Sequence, residues 1–150
     1  MFTRFLIISF FLIGLSSCSK EQQIVYEPAK KSDPYVLYKE GLEAFKRFDY
    51  FFANKKFSEA ELNFEQVEYA AKSAIMSCYS LYGINFYDEA IETIKRYLKT
   101  YPSDKNIIYA HYLLAIIYFE QIGDEKKDIQ PLINAEKQID FFLKKYPDTD

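Results

Sequence analysis

The chain has 150 residues, 49% apolar and 27% charged, with a formal net charge of -3. That balance excludes intrinsic disorder and the basic surface of a nucleic-acid-binding protein, and the length admits one modest domain. With 14 Tyr and 14 Phe but only 4 Gly and 5 Pro, the sequence has too little turn punctuation for an all-β domain and predicts an all-α fold of long helices.

The first segment, residues 1–17, reads as a lipoprotein signal peptide. Arg4 is the only charge before Lys20, and Phe5 to Leu15 is an apolar run of eleven residues, too short for a bilayer core of about 30 Å. Leu15, Ser16, Ser17 and Cys18 resemble the bacterial lipobox, a branched apolar residue and two small ones ahead of a cysteine. The resemblance implies lipid addition to the Cys18 thiol, cleavage after Ser17 and acylation of the new amine. Several acyl chains hold a protein on a membrane far more firmly than one. Ser19 stands where an Asp would signal inner-membrane retention, so the expected location is the outer membrane, on its periplasmic face. Residues 18–33 are the acylated cysteine and a polar tether that reaches roughly 20 Å. With Cys18 taken by lipid, Cys78 is left unpaired and is expected to be a small buried residue.

From residue 34 to 150 the chain compares well with itself. Tyr35, Tyr38, Leu42 and Phe45 match Tyr109, Tyr112, Ile116 and Phe119 at twice an offset of 37, and the middle copy reads Lys72, Ile75, Tyr79 and Tyr82. A second register holds Gly41, Cys78 and Ala115, small residues where a neighbouring helix can approach closely. Three helical repeats are predicted, approximately 34–69, 70–104 and 107–147.

Each first helix is followed by an amphipathic second one. Ala53, Phe57, Ala60, Phe64 and Val67 share a face in copy one, Ala90, Ile94, Tyr97 and Tyr101 in copy two, and Ala135, Ile139, Phe142 and Tyr146 in copy three. The endings LKTYP and LKKYP stop the later two at Pro102 and Pro147. Ala53 to Ala90 repeats the offset of 37, whereas Ala90 to Ala135 is 45, so eight residues enter a charged loop at Gly123 to Pro131. The break between copies one and two falls within Asn63 to Tyr69.

Helix pairs with a small-residue position, Tyr-x-x-Ala at Tyr50 to Ala53 and Tyr87 to Ala90, and a closing Pro resemble the tetratricopeptide repeat. A lipobox, a polar tether, units beginning YKEGLEAFKRFDY and the HYLLAIIYFEQI stretch from His111 to Ile122 together resemble the BamD/ComL lipoprotein family. That resemblance implies a non-enzymatic scaffold of the machinery that folds and inserts β-barrel proteins into the outer membrane. Its implied partners are the barrel subunit BamA, other assembly subunits and unfolded outer-membrane barrel substrates. Family members usually carry five repeats, and the portion that docks BamA lies beyond the third. A solenoid also needs its last apolar stripe covered, so something is expected over Phe141, Phe142 and Tyr146.

In tetratricopeptide arrays the first helices line the concave surface. The resemblance therefore makes Tyr35, Tyr38, Leu42, Phe45, Tyr79, Tyr82, Tyr109, Tyr112, Ile116 and Phe119 candidates for an aromatic peptide groove. Helical spacing serves equally for copy-on-copy packing. A tetratricopeptide lipoprotein of another cell-envelope or peptidoglycan system remains the alternative function. No cofactor or metal is expected: His111, the one histidine, has no second histidine or cysteine beside it and is expected to be an interhelical residue. No nucleophile elbow or phosphate-cradling glycine loop occurs either. Glu59, Glu61, Glu65 and Glu68, with Lys55 and Lys56, are expected to form a solvated helix face.

Overall fold

The computed structural model of the chain describes residues 32–122 and 128–148. Among those residues the regular structure is helical throughout: α1 (Pro34–Lys46), α2 (Tyr50–Asn63), α3 (Val67–Gly83), α4 (Tyr87–Thr100), α5 (Ile107–Glu120) and α6 (Gln130–Lys145). The lipobox, Cys18 and nearly all of the tether lie outside the described residues, as do residues 123–127 of the expected loop.

Helix starts follow local chemistry. The Asp33 carboxylate accepts from the Tyr35 backbone N–H at 2.9 Å, with Pro34 in the first turn of α1. Asp49 caps α2 through the Phe52 N–H at 3.2 Å, and Asp128 accepts from the Gln130 N–H at 2.9 Å ahead of α6. The expected loop through Pro131 is therefore too long by two residues: α6 begins at Gln130, because a fixed φ suits proline to the first helical turn.

The repeat extends into the backbone of the turns. Phe48 and Asn85, which are 37 apart, both sit in the left-handed region, at φ 63 and 61. Around them the Phe48 N–H donates to Phe45 O and the Asp49 N–H to Ala44 O. The Asn85 N–H donates to Tyr82 O and the Phe86 N–H to Leu81 O, all four bonds at 3.0 Å. These bonds satisfy carbonyls left open at the ends of α1 and α3.

The principal packing runs between successive helices, from α1 on α2 to α5 on α6. That is a stack of helical hairpins, consistent with a tetratricopeptide-type solenoid. The largest core lies mid-chain, where Cys78 and Leu81 of α3 meet Ile94 and Tyr97 of α4 and Leu113 and Ile117 of α5. Gly41, Cys78 and Ala115 are all buried. A Cβ on Gly41 would stand 2.8 Å from the Phe57 ring, so that ring occupies the space a side chain would need. The Cys78 thiol is free, fully buried, and lies 3.4 Å from Ala90 O. Burial pushes it up to about 12.

Two expectations about helix faces need correction. Val67 does not continue the α2 stripe: α2 ends at Asn63, Phe64 turns extended with ψ 130, and Val67 opens α3 as an exposed residue. Glu61 does not belong to a solvated face. It is buried, and Arg96 of α4 reaches it with both guanidinium nitrogens at 2.5 and 2.7 Å while the Tyr101 hydroxyl donates at 3.0 Å. Helical phase turns Glu61 inward toward the second hairpin, and the bidentate pair ties the hairpins across 35 residues of sequence. Lys56 also leaves solvent to pair with Glu40 at 2.8 Å, and Glu68 pairs with Lys105.

Candidate functional site

Helices α1, α3 and α5 carry all ten candidate groove residues. Each starts a hairpin, so their outward faces recur with the repeat, and none of the ten is fully buried. Phe119 and Tyr112 are 58% and 50% exposed, Tyr35, Tyr79 and Tyr109 are also exposed, and Tyr38, Leu42, Phe45, Tyr82 and Ile116 are half-buried.

The rings meet across helix boundaries. Phe45 of α1 lies 5.8 Å from Tyr79 of α3, and Tyr79 lies 5.9 Å from Tyr82. Tyr109 of α5 lies beside Tyr79, and burial first, then its neighbours Tyr79, Cys78 and Tyr112, pushes its hydroxyl up to about 12. Tyr82 is raised by burial and by Glu120, Tyr79 and Tyr112 nearby. Phe45, Tyr79, Tyr82, Tyr109 and Tyr112 thus form one continuous patch. Tyr38 instead settles on the floor, 5.3 Å from Phe57, with the Lys72 ammonium 5.5 Å from its ring centre. Tyr35 packs edge-on against Phe64 at 5.0 Å and Tyr69 at 5.4 Å. At the far end, Tyr112 approaches Phe142 of α6 at 6.2 Å, while Phe119 has no ring partner of this kind among the described residues.

Sequence comparison of the repeats missed Tyr69 and Met76, and it aligned Lys72 in the middle copy without assigning it to the groove. With Ile75, Asn106 and Tyr109 they line a cleft of about 430 Å³ between α3 and α5, rimmed by the Glu68 and Lys105 ion pair. Their signal was available as periodicity within one helix, since Tyr69, Lys72, Met76 and Tyr79 are spaced three, four and three residues apart. The cleft combines aromatic walls, a thioether and a cation, which suits apolar or aromatic side chains carried on a polar backbone.

His111 lies between α5 and α6. Its ring is 4.9 Å from Phe141 and 5.8 Å from Tyr146, and Gln138 Nε2 stands 3.3 Å from its Nδ1. Burial, then the Lys145 charge, lowers its pKa. Phe141 remains exposed, whereas Phe142 and Tyr146 are half-buried against each other and α5.

Residues 30–150 match the family model described as outer membrane lipoprotein (YfiO). The chain belongs to this family. The "Outer membrane protein assembly factor BamD" of Caulobacter vibrioides is 31% identical over 137 residues, 91% of this chain and 44% of that protein. The protein of the same name from Rickettsia prowazekii is 25% identical over 149 residues, 99% of this chain and 57% of its own length. The chain thus spans about half the length of these curated relatives, and the family match over residues 30–150 includes every described helix.

Proposed function

We propose that this chain is a lipid-anchored, non-catalytic scaffold on the periplasmic face of the outer membrane. It takes part in outer-membrane protein assembly by presenting the α1, α3 and α5 face to unfolded barrel substrates, and it works beside BamA and other assembly subunits. The observation that carries the reading is the continuous patch of Phe45, Tyr79, Tyr82, Tyr109 and Tyr112 in a chain matched along 30–150 by an outer-membrane lipoprotein family. Two relatives are named as assembly factors, and the lipobox ending at Cys18 supplies the anchor.

The chemistry suits an extended, alternating apolar peptide. Tyrosine rings bury area with little loss of side-chain freedom, while their hydroxyls serve backbone groups. The cleft beside Lys72 accepts a larger side chain at one point along the peptide. Photo-crosslinkers placed at Tyr38, Tyr79 and Tyr112 are expected to capture peptides from the aromatic C-terminal strand of outer-membrane barrels. Capture no greater than from Lys99, on α4, would remove this face as the binding surface.

A further inference from the structure

A different surface protrudes where α1 turns into α2. Phe48 and Phe51 are 77% and 69% exposed, and Phe52 is exposed beside them. The hairpin core gains nothing from three phenylalanines in water. Lys46, Arg47 and Lys55 surround them, all exposed and, among the described residues, without a carboxylate partner. Lys56 lies over the Phe52 ring at 5.2 Å but is neutralised by Glu40. Asp49 is the one acidic residue between Lys46 and Lys56, and its carboxylate caps α2. The tip is therefore cationic on a chain whose formal net charge is -3. The equivalent tip of the second hairpin also exposes a ring, Phe86, but follows it with Asp88 and Glu89, so the two tips differ in charge sign.

Exposed rings among lysine and arginine suit a lipid interface: the rings enter the boundary between headgroups and chains, and the cations meet anionic headgroups. The shape agrees, because a protruding turn offers no groove for a peptide but presses readily into a deformable surface. Reach agrees as well. Helix α1 has 13 residues, about 20 Å of rise, so Pro34 stands at most that far above a surface touched by the tip. The expected tether from Cys18 to Asp33 spans roughly the same distance.

We propose that the α1–α2 tip docks on an anionic lipid surface, so that acyl anchor and tip together hold the domain at two points on the membrane. The inference rests on the acyl anchor of the proposed function. Because the chain has no Trp, Phe51→Trp introduces a single fluorophore at the tip, and Lys99→Trp introduces one at the far end of α4. Each acylated variant is reconstituted into vesicles of phosphatidylethanolamine and phosphatidylglycerol carrying brominated acyl chains. Phe51→Trp is expected to emit to the blue and to be quenched at least about twofold more than Lys99→Trp. The difference is expected to vanish when Lys46→Glu, Arg47→Glu and Lys55→Glu are combined, with helical circular dichroism retained. Equal quenching of the two fluorophores in a chain that floats with the vesicles would overturn the docking tip alone and assign these rings to a protein partner. Failure of the chain to float would overturn the anchor as well, while capture of barrel peptides by the aromatic face is read independently of both.

Discussion

Helices α4 and α6 hold equivalent places in successive hairpins and run into nearly the same five residues, LKTYP and LKKYP, yet their surroundings differ. Helix α4 buries Ala90, Ile91, Ile94 and Tyr97, because α3 packs on one side of it and α5 on the other. Helix α6 buries only Ala135 among its described residues, since its principal packing is on α5. An apolar stripe thus states what a helix is able to bury, and the neighbours in the stack decide how much of it is buried.

The sharpest way to break this comparison is a matched pair of truncations. Ile94 is fully buried, while Ile139, 45 residues on at the same repeat position, is 41% exposed. Ile94→Ala is expected to lower stability by about 2–5 kcal/mol, and Ile139→Ala by less than about 1 kcal/mol, both read from urea unfolding followed by circular dichroism. Equal losses would mean that α6 is covered in solution as fully as α4.

Acid separates the two regions next. In the third hairpin the His111 pKa is lowered from 6.5 by burial and then by the Lys145 charge. The unfolded chain then binds the proton more readily, so stability at this contact is full above about 6.5 and is lost as pH falls through the lowered value. In the second hairpin, burial alone would raise the Asp104 carboxyl. Hydrogen bonds from the Tyr97 hydroxyl and from the Asn106 backbone and side chain outweigh it and hold the pKa below 3.8. That contribution is present above the ordinary carboxylate range and disappears only as pH falls below it. Amide hydrogen exchange at decreasing pH should show α6 losing protection first, starting below about 6.5, with α4 unchanged until well into the carboxylate range. Simultaneous loss in both helices would discard the His111 explanation.

The smallest expected effect compares the two tips. Phe48 and Asn85 share a left-handed backbone, which asparagine tolerates and phenylalanine does not. Phe48→Asn is therefore expected to raise stability by up to about 1 kcal/mol, seen as an upward shift in thermal midpoint. No shift would mean that the ring contact of Phe48 with Tyr50, at 6.1 Å, offsets the strain.

Most of the architecture was readable from periodicity and punctuation. The offset of 37 located the first two hairpins, and Tyr-x-x-Ala marked where α2 and α4 begin, with Ala53 and Ala90 fully buried. What escaped was whatever depends on a partner distant in sequence. Glu61 looks like its acidic neighbours until Arg96 is placed against it, and Val67 looks like a core residue until the chain leaves the helix at Phe64. The candidate groove was legible as a set of helix faces. Its cleft was not, because Tyr69 and Lys72 gain meaning only once Tyr109 of α5 stands opposite.

One buried atom has a chemical consequence. The sulfur of Cys78 is sealed beneath Ala90 and stays protonated far above neutral pH, and thiols react as thiolates. Oxidants, disulfide catalysts and thiol-alkylating reagents meeting the folded chain are therefore expected to leave this sulfur untouched until the second hairpin opens.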